Sequence, residues 1–162
     1  MAVAYGVEIG IGTGDLITAI LITQFVGIFF TIAFAKIAEK IKAKKGILIG
    51  LLIYSGIIIW GYFMKRSIEF YLLAALVGTV QGGTQALSRS LYSNLIPKDK
   101  SAEFFGFFSM SSRFSTILGP LLFGIVSQFT GKSRNGIFTL LFFFIIGGLL
   151  LLKVKEKVDE KV

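Results

Sequence analysis

The sequence predicts an all-α integral membrane protein with about five transmembrane helices and the stub of a sixth. Apolar residues make up 54% of the 162-residue chain, and its mean hydropathy is +0.81. These residues are concentrated in five long runs, and a run of about 20 mostly apolar residues can cross about 30 Å of hydrocarbon. The predicted spans are residues 16–37, 46–64, 70–91, 104–129 and 137–152.

The first fifteen residues are too short to form a complete span. They are rich in glycine, they contain Glu8, and they lead directly into Asp15 and the first span. We interpret residues 1–15 as the remnant of a preceding transmembrane helix and its loop, with a flexible turn at residues 10–14.

The five spans differ in polarity, and the difference repeats along the chain. Residues 46–64 and 137–152 carry no charged or amide side chain before their ends, whereas the other spans carry amides, hydroxyls or arginine at membrane depth. When the stub is counted as a polar segment, the six segments follow the order polar, polar, apolar, and this order occurs twice along the chain. Repeated triplets of spans are typical of secondary transporters, whose sites form at the repeat interface near the bilayer midplane.

The basic residues predict the orientation of the chain. Counted with its nearest connection or with the tail, thirteen of the seventeen belong to alternate connections and the tail, among them Lys36, Arg89 and Arg113 inside the predicted spans, and the remaining four belong to the other two connections. Because lysine and arginine are enriched on the cytoplasmic side, we expect a cytoplasmic C-terminus, with residues 153–162 as a cytoplasmic tail. The tail is short and carries no sorting signal, which favours the plasma membrane over an organelle.

Composition argues against several other classes of function. The chain has no cysteine and no histidine, so it lacks thiolate ligands and the commonest general base. The net charge of +8 comes from residues beside the spans, which indicates topology rather than nucleic-acid binding. We therefore expect that the chain is not an enzyme and that it binds no metal, no cofactor and no nucleic acid. The expected partners are the lipid bilayer and a small-molecule solute.

Helical spacing gives candidates for a substrate cavity. On the span 70–91, small residues recur every fourth position and form a strip suited to close helix contact. A polar strip lies beside it, and the span 16–37 carries one amide at mid-depth. The cavity candidates are Gln24, Gln81, Gln85, Arg89 and Arg113. The alternative is that these groups only hydrogen-bond helices together, at about 0.6 kcal/mol per bond.

Gly119 and Pro120 fall inside the fourth span. A proline there removes one backbone hydrogen bond and predicts a kink. The kink is either a fixed bend that fits the bundle or a hinge in a moving helix.

The first cytoplasmic connection resembles the loop motif of the major facilitator superfamily, which reads Gly, three residues, Asp-Arg, one residue, Gly, one residue and two basic residues. Here Ala35 and Lys42 stand in place of the glycines, and Glu39 and Lys40 in place of Asp-Arg. Lys44 and Lys45 hold the basic pair.

A longer match resembles the vacuole-effluxer-like branch of that superfamily, whose fungal members export amino acids from the vacuole. It is carried by residues 78–93, by Leu95-Ile96-Pro97-Lys98, and by residues 102–107 and 117–124. The resemblance implies the C-terminal six-helix half only of a transporter, without most of its first helix.

What the resemblance implies for function is alternating access, in which two halves rock about a central site. Glu39, Lys40, Lys44 and Lys45 would form a conformational latch. The chain would work with a missing N-terminal half or with a second copy of itself, as part of a secondary-active transporter of small solutes, which include amino acids. The alternative is a truncated half-carrier or membrane subunit with no transport activity of its own.

Overall fold

The computed structural model describes residues 2–8, 10–40, 42–64 and 66–155, and within helices it leaves undescribed the side chains of residue 2 and of residues 34–40. Across these ranges the chain is helical and contains no strand, which confirms the all-α prediction. The helices are α1 (Ala2–Glu8), α2 (Thr13–Lys40), α3 (Ala43–Phe63), α4 (Ser67–Leu95), α5 (Ser101–Thr130) and α6 (Ser133–Lys153). One turn of 3-10 helix, Lys98–Lys100, precedes α5.

The helices enclose the predicted spans, apart from Met64, and extend beyond most of their ends. Three segments are both long and apolar enough to cross a membrane by length and composition: Thr13–Ala33, Ala43–Phe63 and Ser133–Lys153. Helices α4 and α5 have 29 and 30 residues, which is also enough length, but polar side chains occupy their middles. Their assignment as spans stays a prediction.

Two glycines end helices in the left-handed region. After α1, Gly10 has φ of +83°, and the amides of Gly10 and Ile11 bond to the carbonyls of Val7 and Gly6, which is the Schellman pattern. After α5, Gly131 has φ of +66°. A residue with a β-carbon is disfavoured at these angles, so glycine permits both reversals of the chain.

The helices form a bundle. Helix α4 packs against α2 and α3, α6 packs against α3 and α5, and α1 contacts α2 and α6. Buried residues cluster at both ends of the bundle. One cluster contains Tyr5, Leu16, Met64 and Leu73, and the other contains Ile47, Leu87 and Leu91. The first cluster lies at the end that the basic residues predict to be outside.

Large apolar side chains cover the surface of the bundle. Phe25 is 66% exposed, Leu52 is 72% exposed and Phe129 is 89% exposed, and all three are held on long helices. A soluble protein rarely shows apolar surface so extensive. Hydrocarbon is a suitable solvent for it, so the exposed faces agree with the three apolar segments in indicating a membrane protein.

Candidate solute-binding groove

Helices α2 and α4 run parallel and touch at their backbones. The Thr23 hydroxyl donates to the Ala74 carbonyl across the contact at 3.0 Å. A β-carbon at Gly78 would lie 2.6 Å from the Thr23 carbonyl oxygen, and one at Gly82 would lie 3.2 Å from the Gly27 carbonyl oxygen. The small-residue strip predicted on α4 therefore faces α2, and the absence of side chains is what allows the approach.

A groove runs beside this contact and brings three of the predicted cavity residues together. Its volume is about 400 Å³, and its polar lining is Thr23, Gln24, Thr31, Gln81 and Gln85. Gln81 is the central residue of the 29-residue α4, so it lies about 21 Å from either helix end at a rise of 1.5 Å per residue. The groove therefore lies midway along α4, which is where the predicted span would place a site at the bilayer midplane.

The amides in the groove are not used to hold the helices together. The side chains of Gln24, Gln81 and Gln85 have no hydrogen-bond partner in the described part of the chain. This differs from the threonines, whose hydroxyls bond to backbone carbonyls. In this structure the three amides do not act as interhelical glue.

The two predicted arginines lie elsewhere. Arg89 is exposed one turn beyond Gln85 on α4, and Arg113 is exposed on α5, which packs against α6. Neither residue lines the groove. Their role in a cavity stays a prediction.

A second cavity, of about 390 Å³, lies inside the bundle and is lined by side chains from all six described α-helices. Apart from Thr23, Gln24, Tyr5 and Tyr54, its lining is apolar. The Tyr5 hydroxyl donates to the Gly61 carbonyl at 2.7 Å, so it is already paired. The cavity has fewer groups than the groove with which to recognise a polar solute.

The structure gives one latch candidate a specific contact. The Lys44 ammonium donates to the carbonyl oxygens of Leu152 at 2.9 Å and Val154 at 2.7 Å, at the C-terminal end of α6. A cation is favourable there because carbonyls at a helix end lack partners. Lys45 is exposed, and the side chains of Glu39 and Lys40 lie outside the described residues. The latch therefore stays a prediction, and Lys44 also ties the start of α3 to the end of α6.

The hinge candidates lie within a helix that is continuous from residue 101 to residue 130. Gly119 is half-buried and Pro120 is exposed. The Thr116 hydroxyl donates to the Arg113 carbonyl at 2.6 Å in the preceding turn. A hinge at this position stays a prediction.

Sequence reasoning missed the contacts that fix the predicted outer end. The Tyr71 hydroxyl donates to Asp15 Oδ1 at 2.6 Å, which links α4 to α2. The Glu8 carboxylate accepts a hydrogen bond from the backbone amide of Ser133, the first residue of α6, at 3.1 and 3.0 Å.

One sequence signal for the α2–α4 pair was also missed. On α2, small residues recur at the same four-residue spacing as the strip on α4: Ala19, Thr23, Gly27 and Thr31. Two matching strips predict a close pair, whereas one strip does not name its partner.

Comparison with known proteins identifies the family of the chain. The family described as "Vacuole effluxer Atg22 like" matches residues 2–160. The chain belongs to this family. The membrane-transporter resemblance seen in the motifs is thereby confirmed.

Two relatives illustrate the match. The chain is 40% identical over all 162 of its residues to the uncharacterized MFS-type transporter YxiO of Bacillus subtilis, of which it covers 38%. It is 39% identical over 95 residues to autophagy-related protein 22 of Kluyveromyces lactis, which is 59% of this chain and 19% of that protein. The chain thus spans well under half the length of these relatives. No solved structure matches it.

Among the described residues there is no group of three or more His, Cys, Asp or Glu that could hold a metal ion. The polar side chains that line the groove are carboxamides and hydroxyls, so the chemistry available there is hydrogen bonding by neutral groups.

Proposed function

We propose that this chain is part of a secondary-active transporter of small solutes that works by alternating access, and that the α2–α4 groove is its share of the solute path. The observation that carries the proposal is the set of three unpaired amides, contributed by two long helices, in one groove beside a close helix contact. Family membership supports the class of transport protein.

The face of α2 and α4 that carries the three amides needs polar surroundings. An amide in hydrocarbon without a hydrogen-bond partner is costly, since lipid tails offer neither donors nor acceptors. Three such amides on one face require water or polar protein on that side. A water-filled path between two halves of a transporter meets that requirement, and it brings solute to the midplane of the membrane.

A second candidate function is a half-carrier or membrane subunit without transport activity of its own. The observation that favours it is coverage, because the chain corresponds to 38% of the Bacillus relative. One half of a two-half transporter cannot enclose a path alone.

Reconstitution separates the two candidates. The chain alone and a chimera, in which the chain replaces the matching region of the Bacillus relative, are placed in proteoliposomes, and solute flux is measured. We expect flux through the chimera that exceeds protein-free vesicles and is reduced by Gln85→Leu. A chimera that inserts and folds but carries none of a broad panel of solutes would support the inactive half-carrier.

We also infer a plasma-membrane location and, on the strength of the lysine and arginine distribution, a cytoplasmic C-terminus. The chain has no cysteine, so single cysteines can be introduced cleanly. An impermeant maleimide applied to intact cells is expected to label Lys132→Cys and not Lys98→Cys. The reverse pattern contradicts the orientation.

A further inference from the structure

A group of lysines lies between α3 and α6, at the end of the bundle that the basic residues predict to be cytoplasmic. At the opposite end the rings of Tyr62 and Phe138 meet, with their centroids 4.7 Å apart. At the lysine end the Lys44 ammonium donates to the carbonyl oxygens of Leu152 and Val154. The two helices are therefore antiparallel, and the start of α3 lies against the end of α6.

Four exposed lysines flank this contact and form what we call the α3–α6 lysine cluster: Lys42, Lys45, Lys153 and Lys155. Residues 42–45 and 151–155 contain no Asp or Glu. The longer segments 36–45 and 153–162 contain nine lysines and four acidic residues between them, so their combined charge is also positive. A surface of this kind attracts anions that come within about one Debye length, roughly 10 Å at 0.1 M salt.

Lys44 removes the feature of this surface that would repel an anion. The C-terminal end of a helix carries partial negative charge, because its last carbonyls have no partner within the helix. Lys44 donates to two carbonyls at the end of α6, at 2.9 and 2.7 Å, so its positive charge lies on that end. A phosphate group can then approach the end of α6 without meeting bare carbonyls.

The same two helices present apolar side chains within about two turns of the cluster. The exposed ones are Leu149, Leu150 and Leu152 on α6, and Ile49 and Leu52 on α3. The predicted spans of these helices carry no charged or amide side chain before their ends, so their outer surface suits hydrocarbon. Positive charge beside an exposed apolar surface matches the chemistry of a phospholipid, which joins an anionic headgroup to acyl chains.

We propose that the α3–α6 lysine cluster binds the headgroup of an anionic phospholipid, whose acyl chains lie against the exposed apolar side chains of α3 and α6. Lysines beside a membrane span attract anionic lipids, and this attraction is short-ranged in salt. The four lysines act together because the antiparallel pair brings both segments to one place. The site concerns the lipid around the chain, so it is independent of the proposed transport function.

Quenching of tryptophan fluorescence by brominated lipids tests the proposal at both ends of the helix pair. The chain has one tryptophan, Trp60, which is exposed near the opposite end of α3. Trp60→Phe combined with Leu152→Trp moves the fluorophore to the cluster, and Leu149→Trp gives a second position there. Each full chain is placed in mixed vesicles of phosphatidylglycerol and phosphatidylcholine with the same acyl chains. Brominating one lipid at a time gives their relative affinity beside the tryptophan.

We expect phosphatidylglycerol to be preferred by about fivefold beside the tryptophan introduced on α6. A preference below about twofold is expected at Trp60, because the basic residues at that end are accompanied by Glu8 and Glu69. Salt at about 1 M should remove most of the preference, since the Debye length falls to about 3 Å. Equal preference at both ends, or none at either position on α6, overturns the proposal.

Matched double variants locate the site. With the fluorophore on α6, Lys45→Gln with Lys153→Gln removes two charges from the cluster and is expected to reduce the preference to below about twofold. Lys98→Gln with Lys100→Gln removes the same charge from the α4–α5 connection, where Asp99 lies between the two lysines, and is expected to leave the preference unchanged. Equal losses in the two double variants would mean that net charge alone matters, and would overturn the location.

Two further measurements complete the test. Inorganic phosphate at millimolar concentration and constant ionic strength is expected to leave the lipid preference unchanged, because it lacks acyl chains. Displacement of the lipid by phosphate would overturn the lipid as the occupant in favour of a free anion. Circular dichroism shows whether each variant keeps its helix content, and agreement between the two tryptophan positions guards against a local defect in one of them.

Discussion

Helices α4 and α5 have almost the same length, yet they are packed in different ways. Within 29 residues α4 buries Leu73, Gly78, Val80, Gly83, Leu87 and Leu91, whereas α5 buries only Phe123 in 30 residues. Both helices contain glycines in their interiors. A β-carbon at Gly78 would meet the backbone of α2, but one at Gly106 or Gly124 would meet nothing within 4 Å. Glycine content alone therefore does not produce close packing.

The outer surface of α5 shows what its packing leaves uncovered. Exposed large side chains recur along it at alternating spacings of three and four residues: Phe107, Met110, Phe114, Ile117 and Leu121. That spacing places them on one stripe of the helix. The α2–α4 contact is held by backbone proximity and a polar bridge, and α5 presents an apolar stripe and a serine-rich surface instead. The α2–α4 contact and the surface of α5 therefore suit different packing partners.

The largest expected effect comes from adding one methyl group at matched glycines. Gly78→Ala places a β-carbon 2.6 Å from the Thr23 carbonyl oxygen, so α2 and α4 must separate, and we expect a loss of about 1–3 kcal/mol in the free energy of unfolding. Gly124→Ala meets open space on α5, so we expect a gain of about 0.5–1 kcal/mol from helix propensity.

The measurement is unfolding by sodium dodecyl sulfate in mixed micelles, followed by circular dichroism. Changes of opposite sign in the free energy of unfolding of the two variants would establish that α4 and α5 differ in packing. Equal losses at both positions would show that α5 is also in close contact, and the comparison would fail.

A smaller effect is expected where a hydrogen bond joins the predicted outer ends of α2 and α4. Tyr71→Phe removes the donor to Asp15 Oδ1, which lies 2.6 Å away. Bonds to a charged group are stronger than neutral ones, but both residues here are half-exposed, so we expect a loss of about 1 kcal/mol.

Tyr62→Phe is the matched control. The Tyr62 hydroxyl has no hydrogen bond within the described residues, and its ring keeps its contact with Phe138, whose centroid is 4.7 Å away. Removing the Tyr62 hydroxyl is expected to change the free energy of unfolding by less than Tyr71→Phe does. If Tyr62→Phe costs as much as Tyr71→Phe in the same unfolding assay, the Asp15 bond does not contribute to the pair.

The sequence predicted the local features of each helix better than it predicted which helices lie side by side. Period and composition were enough for the helices, and a four-residue spacing was enough to identify the strip containing Gly78 and Gly82. The meeting of Gln24 with Gln81 and Gln85 depends on which two helices lie side by side, and the strip on α4 does not name its partner until it is matched with the strip on α2. The position of Arg113 could not be derived, since nothing local to α5 indicates that this helix packs on α6. Tertiary neighbours are set by the sum of many contacts, and a single span carries only its own share of them.

The smallest expected effect concerns a hydroxyl between α5 and α6. Ser127 Oγ is buried and has no hydrogen-bond partner among the residues that the structure describes, and the chain passes close by at Gly136, where an added β-carbon would lie 2.5 Å from it. Burying an unpaired hydroxyl is unfavourable, so Ser127→Ala is expected to raise the free energy of unfolding by about 0.5–1 kcal/mol. Ser88 on α4 donates to the Thr84 carbonyl at 2.7 Å, and Ser88→Ala loses that bond, so we expect it to stay within about 0.5 kcal/mol of the parent. A clear loss in Ser127→Ala, measured in the same micelles, would mean that this hydroxyl has found a partner, and that α5 is held more firmly against α6 than its single buried residue indicates.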